Sequence, residues 1–266
     1  MQDMKTVVVK VGTSTLTYDS GYLNLKNMET LVRTLSDLSG QGYRAILVTS
    51  GAIAVGTETL GLPERPHALR MKQAAAAVGQ CRMMHIYDKL FSEYNRTMAQ
   101  ILLTGEDVEN PVRAEHLRQT FSSLLEMGVI PVVNENDSVS SAEIETGAQK
   151  VLGDNDTLSA IVAKLVGADL LVLFSDIEGL YDKDPHKFKD AVLLRRIDKI
   201  DEEIEGMAGS SGTWRGTGGM VTKLSAAKIA MGAGCDMVIT SGAHIERLYD
   251  ILDGKEVGTR FMAKTE

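Results

Sequence analysis

The chain has 266 residues, of which 44% are hydrophobic and 24% are charged, and its formal net charge at pH 7 is −8. This length allows one large domain or two small ones. The acidic charge argues against a protein that binds nucleic acid or a membrane surface. Cys81 and Cys235 lie far apart in apolar patterns, so we expect reduced, buried thiols. No apolar run approaches about 18 residues and the N-terminus lacks a signal-peptide core, which predicts a soluble cytoplasmic chain.

Short β-branched runs alternate with segments of helical periodicity along almost the whole chain. The predicted strands cover 5–11, 43–51, 98–104, 129–137, 169–176 and 235–242. The predicted helices cover 25–42, 68–94, 113–128, 154–168, 198–208, 220–233 and 245–254. This alternation predicts an α/β fold with a mostly parallel central sheet and helices on both of its faces, a three-layer αβα sandwich.

Polar or small residues follow each predicted strand, at the sheet edge where open α/β folds bind their ligands. Lys10 lies in the apolar first strand, where a lysine either reaches solvent or meets an anion, and Gly12 and Thr13 follow it. After the second strand, Ser50 and Gly51 can present backbone N–H groups at a helix start, which suits an anion. Each pattern alone is also explained by an ordinary Ser/Thr or Gly turn.

The glycine-rich segment GTWRGTGGMVTK (212–223) leads into a predicted helix that carries Lys223 in its first turns. It is not a Walker A loop, because the chain contains no G-x-x-x-x-G-K-[ST] pattern. It is not a dinucleotide fingerprint either, because Val221 stands where the third glycine would be. Glycines, helix N–H groups and a lysine predict a triphosphate site, and a surface loop with a solvated lysine is the alternative.

The stretch VLGDNDTLSA (151–160) places Asp154, Asn155 and Asp156 at the start of a predicted helix. Two adjacent carboxylates repel each other, and one of these side chains would suffice as an N-cap. A metal site is disfavoured, because no histidine lies nearby and the D-x-[DN]-x-[DN]-G spacing of a calcium loop is absent. The remaining explanations are helix capping and a site for positive groups.

In the second explanation, Asp154 or Asp156 orients Lys10 and Lys223. The other carboxylate then binds a cationic group of a ligand, together with Asn155 and Asp137.

None of the five histidines lies in these motifs. A reaction that deprotonates a hydroxyl or amine would normally need such a base. A carboxylate nucleophile needs none, because a carboxyl group with a pKa of about 4.3 is already ionised at pH 7. Two lysines without a histidine therefore fit an amino-acid carboxylate that attacks a nucleoside triphosphate.

The motifs KVGTST, VTSGAI, NENDSV, GDNDTLSA, FSDIEGLY and GTGGMVTK, in this order and spacing, closely resemble the glutamate 5-kinase family of the amino acid kinase superfamily. The resemblance runs from about residue 5 to residue 261 and implies the amino acid kinase fold. It implies transfer of the γ-phosphoryl group of ATP to the side-chain carboxylate of L-glutamate, the first step of proline synthesis. It also implies Mg²⁺ carried mainly by the nucleotide, feedback inhibition by proline, and a homodimer or homotetramer.

The resemblance also implies roles for individual residues, with no metal ligand among them. Lys10 and Lys223 would stabilise the transferring phosphoryl group, and Asp156 would hold both lysines. Glutamate would bind to Ser50, Asp137 and Asn155, with Asn134 and Asp154 close by. The ATP site would be lined by Lys10, Gly12, Thr13, Gly51, Ser175, Asp176, Thr217, Gly218, Gly219, Met220, Val221, Thr222 and Lys223.

Two departures from the family pattern affect the expectations. Many bacterial members carry a C-terminal PUA domain, for which this chain has no room, so we expect residues 1–266 to form a single amino acid kinase domain. The segment 143–153 is longer than the compact family form, and residues 138–152 could form a hairpin over the site. A nucleotide or amino-acid sensor, or a kinase for another small acid, remains an alternative.

Overall fold

One sheet of eight strands forms the middle layer of the computed structural model, which describes residues 5–139, 154–210 and 219–263. Its strands are β1 (Thr6–Val11), β2 (Arg44–Val48), β3 (Met98–Leu103), β4 (Ile130–Glu135), β5 (Leu170–Ser175), β6 (Arg196–Ile197), β7 (Asp236–Ser241) and β8 (Thr259–Phe261). The spatial order is β3-β4-β2-β1-β5-β7-β8-β6, and only the pair β7–β8 is antiparallel among the strands described. The mostly parallel sheet predicted from the sequence is confirmed.

Helices cover both faces of this sheet. They are α1 (Thr13–Leu16), α2 (Leu25–Gly40), α3 (Ala52–Thr59), α4 (Leu69–Glu93), α5 (Gly105–Glu109), α6 (Pro111–Glu126), α7 (Asn155–Val166), α8 (Glu202–Ser210), α9 (Met220–Gly232) and α10 (Arg247–Leu252). In the ranges described, none of them is long and apolar enough to cross a membrane. The predicted hairpin over 138–152 lies outside the described residues, except for its first two positions.

Strand β1 shows how the three layers form. All six of its residues are buried. Val8 packs in a cluster with side chains of α6, α7 and α9, whereas Val7 and Val9 pack in a second cluster with α2, α4 and α10. Alternate side chains of a strand point to opposite faces, so a β-branched run without polar positions belongs in a sheet that is covered twice. The αβα sandwich is therefore confirmed.

Some boundaries differ from the prediction for local reasons. The strand predicted over 43–51 ends at Val48, because Gly51 takes a left-handed conformation with φ of 103° and α3 begins directly after it. Helix α6 begins two residues early, since Asn110 caps it and Pro111 occupies its first position. Strands β6 and β8 were not predicted, because two or three residues show no periodicity.

Helices α3 and α4 touch backbone to backbone. A Cβ atom on Gly79 would lie 1.8 Å from the carbonyl oxygen of Ala52, and one on Gly56 would lie 1.8 Å from that of Ala75. Only glycine fits at these two positions. The contact holds α4 close to the start of α3, and therefore close to the carboxyl end of β2.

Gly79→Ala is expected to destabilise the protein by about 1–3 kcal/mol, because the added methyl group overlaps the backbone of α3. Gly206→Ala is the matched control. A Cβ on this glycine of α8 meets no atom within 4 Å, so alanine should be neutral or stabilise by about 0.4–1 kcal/mol. Urea denaturation gives both free energies of unfolding, and equal values for the two variants would contradict the close α3–α4 contact.

Candidate active site

Four neighbouring strands bring the predicted site residues to one edge of the sheet. In the order β4-β2-β1-β5, these strands end near Asn134, Ser50, Lys10 and Ser175. The N-terminus of α7 lies at the same edge, because the side chain of Asn155 reaches the turn after β2. Residues that are more than a hundred positions apart in the sequence therefore meet.

The carboxylate of Asp156 binds two lysines at once. Its Oδ1 lies 2.6 Å from Lys10 Nζ, and its Oδ2 lies 3.1 Å from Lys223 Nζ. Asp156 is only 2% exposed, and both lysines are buried. Two ammonium groups and one carboxylate give this trio of buried side chains one net positive charge. Such a cluster is suited to an anion.

Burial raises the pKa of the Asp156 carboxyl, but the attraction of Lys10 and Lys223 and their hydrogen bonds more than offset this effect. The pKa therefore lies below its usual value of 3.8, and the group is ionised at neutral pH. The stability that follows from this lowered pKa is fully present above pH 3.8 and is lost as the pH falls through the folded-state pKa.

The two aspartates of the GDND motif have different tasks. Asp154 is the N-cap of α7, and its Oδ1 accepts hydrogen bonds of 2.9 Å from the backbone N–H groups of Asp156 and Thr157. Its Oδ2 is buried and has no hydrogen-bond partner in the described part of the chain. Asp154 therefore caps the helix, and Asp156 contacts positively charged side chains.

Asn155 joins the ends of two strands. Its Nδ2 lies 2.8 Å from the carbonyl oxygen of Thr49, 2.8 Å from Ser50 Oγ and 3.1 Å from Asn134 Oδ1. Ser50, Asn134 and Asn155, three of the predicted glutamate-binding residues, are thus in direct contact. Asp137 is half-buried in the turn that follows β4.

Several predicted ATP-binding residues lie beside the lysine cluster. Gly219 is the N-cap of α9 and has no side chain that could accept from the first backbone N–H groups of that helix, so these groups keep their ability to bind an anion. Thr222 Oγ1 lies 3.3 Å from Asp156 Oδ2, which ties the start of α9 to the cluster. Thr217 and Gly218 lie outside the described residues.

The other predicted ATP-binding residues surround the same edge. A Cβ on Gly12 would lie 3.6 Å from Lys10 Nζ, and one on Gly51 would lie 3.6 Å from Thr13. Ser175 Oγ donates a 2.9 Å hydrogen bond to Asp176. Met220 is buried and Val221 is exposed, so only the backbone of Val221 is suited to a role in the site. Among the described residues, no group of three or more His, Cys, Asp or Glu side chains could hold a metal ion.

Two residues of α4 belong to this polar network and were not predicted. Gln80 Oε1 accepts a 2.9 Å hydrogen bond from Asn134 Nδ2. Tyr87 Oη and Thr49 Oγ1 are 3.0 Å apart, and burial raises the pKa of Tyr87. The available signal was a glutamine in the apolar run AAAAVGQ, because a polar residue on the buried side of a helix needs a partner.

Comparison with known proteins places the chain in a family. Residues 5–241 match the model of the Amino acid kinase family. The glutamate 5-kinase of Clostridium perfringens is 52% identical over 266 residues, which cover 99% of this chain and 97% of that protein. The chain belongs to the glutamate 5-kinases of the amino acid kinase family. Another glutamate 5-kinase, from Carboxydothermus hydrogenoformans, is 53% identical, and the match covers 99% of this chain and 69% of that longer protein.

Solved structures of two other kinases show the same fold. Carbamate kinase from Giardia lamblia bound to AMP-PNP superimposes with a TM-score of 0.69 at 17% identity, over 99% of this chain and 100% of that one. The isopentenyl phosphate kinase of T. acidophilum gives a TM-score of 0.59 at 19% identity, over 96% of this chain and 99% of that one. At these identities the likeness concerns the amino acid kinase fold alone.

Asp156→Asn is expected to lower kcat by about 100-fold or more with little change in either KM. The substitution keeps the size of the side chain but removes the charge that positions Lys10 and Lys223. Since Asp154 is the cap of α7, the helix should stay intact, which circular dichroism can check.

The same experiment has a second part, because residues that act as a unit are not additive. Asp156→Asn combined with Lys223→Ala should be little worse than Lys223→Ala alone. Normal turnover in Asp156→Asn, or fully additive losses in the double variant, would contradict the positioning role.

Proposed function

We propose that the chain is a kinase that transfers the γ-phosphoryl group of ATP to the side-chain carboxylate of L-glutamate, the first step of proline biosynthesis. The observation that carries the proposal is the buried cluster of Lys10, Asp156 and Lys223, next to the amide network of Asn155. Relatives that are about half identical along almost the whole chain are glutamate 5-kinases. Positive charge for the phosphoryl group and polar groups for an amino acid are thus adjacent.

In this mechanism a glutamate γ-carboxylate oxygen attacks the γ-phosphorus of ATP. A bond forms between that oxygen and phosphorus, the bond to the β,γ-bridging oxygen breaks, and ADP leaves. No proton is transferred, since the nucleophile is already ionised at neutral pH. This explains why a site without histidine suffices. The products are ADP and an acyl phosphate.

The lysines act on the charge that spreads over the transferred group. Phosphoryl transfer needs little covalent chemistry from the protein, and positioning with electrostatic stabilisation does most of the work. Lys10 and Lys223 approach Asp156 from different elements, β1 and α9. A single carboxylate between them fixes their separation before substrates bind. Mg²⁺, carried by the nucleotide phosphates, would supply further charge neutralisation, and no protein ligand for it is proposed.

The second half of the site suits the amino acid. Ser50, Asn134 and Asn155 offer hydroxyl and amide groups, and Asp137 lies in the turn after β4. The buried Oδ2 of Asp154 supplies a negative oxygen that is suited to an ammonium group. Together these residues fit the α-amino and α-carboxylate groups of glutamate.

Three properties stay predictions from the sequence: inhibition by proline, a homodimeric or homotetrameric state, and a cytoplasmic location. We also propose that residues 1–266 act as one amino acid kinase domain. Support comes from the sheet, in which β1 pairs with both β2 and β5. The early and the late part of the chain therefore share one layer and one site.

A substrate panel tests the function. The protein should form an acyl phosphate, trapped by hydroxylamine, with L-glutamate and ATP, and should turn over aspartate and N-acetylglutamate much more slowly. Faster turnover of either alternative acid would contradict the proposed substrate. Nucleotide binding without any acyl phosphate from any acid would instead indicate a sensor.

Lys10→Ala and Lys223→Ala should each lower kcat by about 100-fold or more, since each lysine acts mainly on the transition state. Lys228→Ala is the matched control, because Lys228 lies on the same helix as Lys223 but is half exposed and pairs with Glu205. A folded variant of Lys10 or Lys223 with near-normal kcat would exclude that lysine from the reaction.

Asp137→Ala should raise the KM for glutamate about 10- to 150-fold, with little change in the KM for ATP, because a charge-assisted contact to the substrate ammonium is lost. Asp253→Ala, at the exposed end of α10, is the control for removal of a carboxylate. Equal increases in both KM values would show that Asp137 does not bind the amino acid.

A further inference from the structure

Gln80 of α4 is buried beneath the amide network, with 8% of its surface exposed. Its orientation is determined by a chain of hydrogen bonds. Asn134 Oδ1 accepts from the backbone N–H of Glu135 at 2.9 Å, so the NH₂ group of Asn134 faces Gln80. Gln80 must then present its oxygen to Asn134. Its Nε2 is left buried, with no hydrogen-bond partner in the described ranges.

The fold places this amide at the substrate edge. Gly79, the residue before Gln80, touches the backbone of α3 at Ala52. Helix α3 itself starts directly after Ser50 and Gly51. Gln80 is thus held near the end of β2 on one side and contacts the end of β4 on the other. A donor buried at this place without an acceptor would destabilise the fold, and a ligand that accepts its hydrogen bond would remove the cost.

The neighbouring residues indicate which ligand group this is. Asn155 and Asp156 are consecutive on α7, and they face different parts of the site. Asp156 contacts the lysines, where the proposed function places the reacting carboxylate and the phosphoryl group. Asn155 contacts Asn134, which in turn contacts Gln80. Gln80 therefore lies on the side of the network away from the phosphoryl transfer.

We propose that Gln80 is a substrate-specificity residue whose Nε2 donates a hydrogen bond to the non-reacting carboxylate of the amino-acid substrate. The inference rests on the proposed function, because it assumes an acceptor with two carboxylates. The Oε1 of Gln80 accepts a hydrogen bond from Asn134, and its Nε2 binds the charged carboxylate at the non-reacting end of the substrate. An acid should therefore be preferred over the corresponding amide at that end, since a hydrogen bond to a charged acceptor is stronger.

Replacement of the hydrogen-bond donor of Gln80 by an acceptor tests the proposal. Gln80→Glu keeps the shape and the oxygen that faces Asn134 but replaces the donor by an acceptor. The variant should raise the KM for L-glutamate about 10- to 100-fold and leave the KM for ATP within about twofold. The α-amide of glutamic acid, whose γ-carboxylate is intact, can donate to the new carboxylate. The ratio of kcat/KM for glutamate to kcat/KM for the α-amide should therefore fall by at least about tenfold.

Gln100→Glu is the matched control, because Gln100 is exposed on β3, and its kinetics should equal those of the wild type. Methionine has a volume similar to that of glutamine and no hydrogen-bond donor, so Gln80→Met is the test variant if Gln80→Glu does not fold. It should also raise the glutamate KM and lower the preference for the acid over the α-amide.

Two results with the variants would overturn the proposal. An unchanged glutamate KM in the folded variants would show that Nε2 does not reach the substrate. Equal losses for glutamate and the α-amide would mean that Gln80 is structural, or that a buried water accepts its hydrogen bond. A wild-type protein that phosphorylates neither compound would contradict the proposed function itself, and this inference with it.

Discussion

The ion pairs of Asp156 with Lys10 and Lys223 are the interaction on which the rest of the site depends. A buried carboxylate is costly unless it is paired. The three side chains come from β1, α7 and α9, so these elements must be in place before the cluster can form. Replacing the cluster by apolar residues could stabilise the fold. The proposed reaction explains its presence, because phosphoryl transfer needs a positive site of fixed geometry.

The N-terminus of α7 divides the site into two halves. Asp156 faces the lysines, and Asn155 faces the ends of β2 and β4. Asp154 caps the helix, and its second oxygen has no hydrogen-bond partner among the described residues. Three consecutive polar residues thus supply a helix cap, a contact to the ends of β2 and β4, and a contact to the lysines. In the proposed reaction, a substrate held by Asn155 and the ends of β2 and β4 has its reacting end directed to the lysines. Phosphoryl transfer requires this positioning.

Much of this arrangement could be predicted from the sequence. Long β-branched runs predicted the central strands, and the residues after them predicted the ligand-binding edge, because parallel strands bring their carboxyl ends together. The GDND stretch predicted both capping and a contact to lysines. The residues alone left Asp154 and Asp156 interchangeable, since either can serve as an N-cap, and only the family resemblance assigned the lysines to Asp156. Gln80 was missed because its partner Asn134 lies 54 residues further along the chain, and β6 was missed because two residues carry no periodicity.

We propose that Asp156 holds the lysines for the transition state and not for the bound nucleotide. Titration calorimetry with ADP and aluminium fluoride, in the presence of glutamate, measures affinity for a mimic of the transferring phosphoryl group. Asp156→Asn should weaken binding of this mimic by about 100-fold, while the affinity for ADP alone should change by less than about threefold. Equal changes for both ligands, or no change for the mimic, would contradict it.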